Sequence, residues 1–195
     1  MNEQAAAAWE IHLFLADLGI HYAIIGGMAV QQWGEPRFTQ DVDLTVAAPL
    51  DAPERFIGVV LERFAARLPD AAAFARRNRV ILIRASNGCP VDISLGLPGY
   101  EDEVVRRTVD HELEPGKAIR LCSAEDLIIH KAVAGRPQDV RDIESILYRQ
   151  QGALDVTYLR RWLGDFADLL ANPEVLARFE RPWRRLHPRS PARQH

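Results

Sequence analysis

Cysteine is scarce: Cys89 and Cys122 are the only two in 195 residues, too few and too far apart for a disulfide scaffold or paired zinc ligands. The six histidines show no His-x-x-x-His spacing, which removes the usual pattern of a zinc site. No apolar run approaches the roughly 20 residues that a membrane span needs. The stretch from Met1 to Glu10 lacks the basic-then-apolar order of a signal peptide. A strong charge of either sign is also missing. The net charge of -3 argues against coating nucleic acid through bulk electrostatics. What remains is an ordinary globular composition, 48% hydrophobic and 26% charged, enough for one buried domain with a small helical appendage. The expectation is a reduced, cytoplasmic protein.

Coarse patterning gives a mixed order. Glu3 to Leu18 reads as a helix stopped by Gly19, His21 to Ile25 as a short buried strand, and Met28 to Trp33 as a helix ending at Gly34. Asp41 to Ala47 alternates and predicts a second strand. Asp51 with Glu54 resembles a capping box for a helix to about Arg67, and Asp70 opens a second helical piece. Arg79 to Ala85 and Val91 to Leu95 read as strands joined by an Asn87-Gly88 turn, and Lys117 to Leu121 as a further strand. Ser123, Pro137, Asp155 and Pro173 then open helical segments. The expected fold class is α/β: a short mixed sheet of about four or five strands flanked by helices, then a helical C-terminal region. We expect a core over residues 1–122, a helical region over 123–186 closing a cleft, and a basic tail over 187–195.

The chemistry centres on Asp41-Val42-Asp43-Leu44-Thr45-Val46. Side chains alternate along a strand, so Asp41, Asp43 and Thr45 share one face, and Asp41 and Asp43 lie about 7 Å apart. Such a pair repels itself unless a cation or basic partner compensates. Val91-Asp92-Ile93-Ser94-Leu95 repeats the pattern. If the two strands are neighbours, three carboxylates meet on one side of the sheet, a donor set suited to two Mg²⁺ ions roughly 4 Å apart. Taken alone, Asp41-x-Asp43 reads equally well as two surface acids. Upstream, Ile24-Ile25-Gly26-Gly27-Met28 is an apolar strand, two glycines and a helix start, where backbone N–H groups can approach a phosphate.

Gly26-Gly27, Gly34, Arg37, Thr39, Asp41 and Asp43 resemble the signature of the DNA-polymerase-β-like nucleotidyltransferase superfamily. The Gly-Gly and Arg-x-Thr-x-Asp-x-Asp form is most similar to the AbiEii-type branch of toxin–antitoxin and abortive-infection systems. The likeness covers roughly residues 20 to 96. It implies that Asp41 and Asp43 bind Mg²⁺, that Gly27 contacts nucleotide phosphates, and that Asp92 is the third acid, assisting deprotonation of an acceptor hydroxyl. Arg37 and Thr39 either steer a phosphate or serve as a salt bridge and a cap.

A second likeness lies further on, in Lys131, Arg136, Asp139 and Asp142. Helical geometry puts Lys131 inside the apolar stripe of its helix, where it snorkels or faces a cleft. Asp139 lies inward beside Ile143 and Ile146 and needs a partner, Lys131 or Arg136. Asp142 is expected to face solvent or Arg136. Lys131 then either holds a nucleotide triphosphate, oriented by Asp139, or forms a structural ion pair. The implied substrate is an NTP, ATP among the candidates. The implied acceptor is an RNA such as a tRNA 3′ end, or a protein hydroxyl, with an antitoxin as possible partner and no membrane. The alternatives are an antibiotic nucleotidyltransferase acting on an aminoglycoside or lincosamide, and a binding module without turnover. The C-terminal arginines Arg181, Arg184, Arg185, Arg189 and Arg193 read first as a solvated tail and second as an RNA-gripping arm.

Overall fold

A computed structural model describes residues 1–47, 53–96 and 99–188. The chain divides into two compact units. One comprises Met1–Ala29 and Arg37–Ser123; the other comprises Val30–Pro36 and the chain from Ala124 onward.

Among the described residues the first unit is built on a mixed sheet of seven strands, β1 (Tyr22–Ile25), β2 (Val42–Val46), β3 (Ala65–Ala66), β4 (Val80–Arg84), β5 (Pro90–Leu95), β6 (Val109–Glu114) and β7 (Lys117–Leu121), in the order β3-β4-β5-β2-β1-β7-β6. The five strands expected from alternation are all present. The two additional ones lie at the sheet's edges, where sequence signals are weakest. β6 carries Asp110, His111, Glu112 and Glu114, and charge on an edge strand keeps other chains from pairing with it. β3 replaces the end of the expected helix to Arg67. That helix, α3 (Pro53–Arg63), stops four residues earlier, and Ala65 and Ala66 pair antiparallel with Arg84 and Ile83. The helical propensity of two alanines is overridden by edge pairing once Phe64 is buried. The expected Asp51 cap lies outside the described residues.

One face of the sheet is apolar. Val42, Leu44 and Val46 stand beside Val91, Ile93 and Leu95, which stand beside Ile81 and Ile83, all buried. Ile11 and Leu15 of α1 (Glu3–Asp17) and Phe56, Ile57 and Val60 of α3 join them in one core. α1 starts at an Asn2 side-chain cap on Ala5 N–H and ends before Gly19, whose φ of +65° suits a left-handed stop. Between β3 and β4 stands α4 (Ala71–Asn78), and α5 (Tyr100–Arg106) follows β5. α2 (Gly26–Trp33) begins directly at the end of β1.

The second unit is helical: α6 (Ala124–Ala134), α7 (Pro137–Arg149), α8 (Val156–Leu169) and α9 (Glu174–Leu186). The end of α2 belongs here. A Cβ on Gly34 would lie 2.6 Å from Ser145 Oγ and 3.1 Å from Ile146 Cγ1, and Arg149 donates to the Gly34 carbonyl. Gly34 therefore serves close packing against α7. Among the described residues no helix is long and apolar enough to cross a membrane.

Candidate functional site

The sheet's second face carries the acids. β2 and β5 are parallel and in register, so Asp43 is the Cα partner of Asp92 and Thr45 the partner of Ser94. Ile25 of β1 stands opposite Asp43, and Leu82 of β4 opposite Asp92. The row Ile25, Asp43, Asp92, Leu82 thus crosses four strands on one face. Neighbouring strands are about 4.8 Å apart, so Asp43 and Asp92 project from adjacent positions on the same face. Asp41 sits one residue before β2, where the Thr39 hydroxyl donates to its Oδ1 at 2.7 Å. Asp41, Asp43 and Asp92 are all half-buried.

The two glycines fix this arrangement sterically. Gly26 has φ +64°, and a Cβ there would come within 2.6 Å of Asp43 Cβ and Cγ. A Cβ on Gly27 would lie 2.7 Å from Thr39 Cβ. Glycine at 26 and 27 therefore lets Asp43 and Thr39 close over the first turn of α2. Besides the phosphate approach expected of them, these glycines clear space for the acid and its hydroxyl support. Arg37 is half-buried and donates to the Phe38 carbonyl at 3.3 Å, while Phe38 is largely exposed.

The residue that the sequence reading missed is Arg67. Its guanidinium forms an ion pair and hydrogen bond with Asp92 Oδ1. The Asp92 carboxyl is pushed above the usual carboxylate range by burial; the Arg67 charge and hydrogen bond oppose the shift and the Asp41 charge adds to it. No sequence motif marks Arg67, because it follows a two-residue strand that carries no alternation of its own.

Lys131 and Asp139 lie in the helical unit and meet each other there. Lys131 Nζ is 3.1 Å from Asp139 Oδ1 and 2.8 Å from Asp142 Oδ2, and all three residues are buried. Arg136 binds Asp139 through Nε at 2.7 Å and through its backbone N–H at 3.0 Å. Burial would raise the Asp139 carboxyl, but the hydrogen bonds and charges of Arg136 and Lys131 outweigh it and hold the group below its ordinary value. Asp142 corrects the expectation of solvent exposure. It is 2% exposed and also accepts from Gln138 at 2.8 Å. Residues three apart share a helix face, so an inward Asp139 brings Asp142 inward with it. Of the C-terminal arginines, Arg181, Arg184 and Arg185 pair with Glu174, Glu180 and Glu144; Arg189 and Arg193 lie outside the described residues.

Oxygen-only ligands select a hard cation. Among the described residues no three His, Cys, Asp or Glu side chains are arranged to enclose an ion by themselves. The expected meeting of Asp41, Asp43 and Asp92 as one three-carboxylate donor set is therefore not found; a cation here could draw on one or two of these carboxylates, with water and phosphate oxygens completing its shell.

The fold is that of a nucleotidyltransferase-like α/β protein. It is similar to an antigenic nucleotidyltransferase-like protein from Paracoccidioides brasiliensis, with TM-score 0.54 and 18% identity over 90% of this chain and 91% of that one. It is also similar to a lincosamide antibiotic adenylyltransferase with lincomycin bound, with TM-score 0.50 and 12% identity over 75% of this chain and 98% of that one. No protein-family model and no curated protein sequence matches the chain.

Proposed function

We propose that the protein is a magnesium-dependent nucleotidyltransferase that moves a nucleoside monophosphate from an NTP to an acceptor hydroxyl, releasing pyrophosphate. The observation that carries this reading is the register of β2 and β5, which makes Asp43 and Asp92 in-row neighbours with Asp41 two residues upstream.

Asp41 and Asp43, with Asp92, would hold the divalent cation. When bound, such ions polarise phosphoryl oxygens and lower the pKa of an attacking hydroxyl. The chain's own contribution is placement. Thr39 orients Asp41, and the bare backbone at Gly26 and Gly27 seats Asp43 and offers N–H groups at the start of α2 to the NTP phosphates. Asp92 accepts the proton of the acceptor hydroxyl. Lys131, held between two buried carboxylates, is assigned to joining α6 and α7 rather than to gripping phosphate.

For the acceptor, the Arg37-x-Thr39-x-Asp41-x-Asp43 form supports an AbiEii-like reading, with RNA or protein as target and a possible antitoxin partner. The likeness to a lincosamide adenylyltransferase and the net charge of -3 support a small, cationic drug as second reading. Incubation with Mg²⁺, four labelled NTPs, total tRNA, and aminoglycoside and lincosamide panels separates them by which acceptor gains label. Pyrophosphate release with any NTP, lost in Asp43→Asn, is the expected result; no release with any NTP and acceptor overturns the enzymatic reading.

A further inference from the structure

The pairing of Arg67 with Asp92 is built in rather than incidental. Ala65 and Ala66 pair with Arg84 and Ile83, and the next backbone N–H, that of Arg67, donates to the Leu82 carbonyl at 3.0 Å. Leu82 is the Cα partner of Asp92. Arg67 therefore extends the row Ile25, Asp43, Asp92, Leu82 by one position, and its side chain reaches back over Leu82 to Asp92. An arginine at a sheet edge can turn into water. This one instead keeps its side chain at 22% exposure, with Nε buried and lacking a hydrogen-bond partner among the described residues. A desolvated donor without a partner is costly, so the surrounding structure fixes the guanidinium where it is.

We infer that Arg67 is a positioning residue of the acid cluster: it engages one oxygen of Asp92, so that this carboxylate meets a cation or an acceptor hydroxyl with a single oxygen. This rests on the proposed reading of Asp41, Asp43 and Asp92 as a divalent-cation site. A carboxylate with both oxygens available chelates a cation and holds it tightly; one with a single oxygen binds more weakly and keeps a fixed direction. Arg67 also places a positive charge beside the site, which weakens cation binding further. Arg67 thus lowers cation affinity in exchange for an oriented Asp92. The sign is opposite to that of a residue that merely stabilises the sheet edge.

The test compares Arg67→Met, Arg67→Lys and Asp43→Asn with the parent protein. Mn²⁺ binding is read directly from the EPR signal of free Mn²⁺, and pyrophosphate release is followed at saturating Mn²⁺. Arg67→Met is expected to bind Mn²⁺ about tenfold more tightly while its saturated rate falls about tenfold or more. Arg67→Lys, which keeps the charge without the planar fork, should bind Mn²⁺ like the parent and still lose rate. A lower melting temperature in Arg67→Met with parental affinity and saturated rate would overturn the proposal. Should Arg67→Met fail to fold, Arg67→Lys decides, and an unchanged rate overturns it. Asp43→Asn keeps the two readings apart. If it binds Mn²⁺ as the parent does, the acid-cluster reading itself falls; if it loses Mn²⁺ while the Arg67 variants behave as the parent, only the role of Arg67 does.

Discussion

The two units each gather aspartates around a basic side chain, and they do so in opposite ways. In the helical unit Asp139 and Asp142 are 0% and 2% exposed, with the Lys131 ammonium between them. In the sheet unit Asp41, Asp43 and Asp92 remain half-buried, with Arg67 on one oxygen of Asp92. The first cluster is sealed and carries its own counter-charge, so its carboxylates are spent on holding two helices together. The second is open enough for solvent, ions and phosphates to reach. Accessibility, rather than acidity, separates the two groups of aspartates, and the proposed chemistry is assigned to the accessible one.

Four substitutions or conditions would sharpen or break that contrast. Lys131→Met leaves two buried carboxylates without their ammonium and should cost about 3–5 kcal/mol of stability, read by urea denaturation. A cost near zero would mean that the helical cluster is not sealed. Asp43→Asn should do the reverse. It removes charge from an open site, so stability should change by less than about 1 kcal/mol, while pyrophosphate release falls about a thousandfold.

Acidification should weaken the helical unit. His130 lies beside Lys131 on α6, and its Nε2 is closed off from solvent even though the residue as a whole is only partly covered. Burial, opposed by the Asp126 charge and reinforced by that of Lys131, brings its pKa down to about 4. The unfolded chain then binds more protons than the folded one between about pH 6.5 and 4, so stability declines as pH falls through that window and levels off below it. The loss is at most about 3 kcal/mol, and His130→Gln should flatten the slope of unfolding free energy against pH.

Gly26→Ala should act on rate and stability together. Its Cβ meets Asp43 at a positive φ, and moving Asp43 by about 1 Å costs roughly a hundredfold in rate, with a stability loss of about 1–2 kcal/mol from the left-handed backbone. Parental kinetics in Gly26→Ala would show that Asp43 does not need the clearance.

Much of this arrangement was legible in the residues. Alternation placed Asp43 and Thr45 on the face opposite Val42 and Leu44, and Asp92 and Ser94 opposite Val91 and Ile93, because the apolar residues of both strands pack on one side. The Asn87-Gly88 turn was legible because a φ of +84° at Gly88 favours glycine. What stayed hidden depended on contacts distant in sequence. Ala65 and Ala66 have no strand propensity and pair only because β4 offers an edge, so neither β3 nor Arg67 announced itself. Asp142 shares the inward face of Asp139, three residues away, and its charge is matched there by Lys131 on another helix, a contact that its own sequence neighbours do not show. Charge on β6 masked a strand whose faces are mostly accessible.

The in-register row across β1, β2, β5 and β4 has a consequence for chain length. Parity governs β5: if a single residue were lost between the turn and Asp92 and the strand slid to absorb it, a hydrocarbon side chain would take the carboxylate's station and the acid would enter the apolar layer. A loss of two would restore the face but carry the acid about 7 Å along the strand, out of the row with Asp43, so only loop growth outside the ladder is harmless, which makes the short span from Gly88 to Asp92 far less forgiving than its exposed turn suggests.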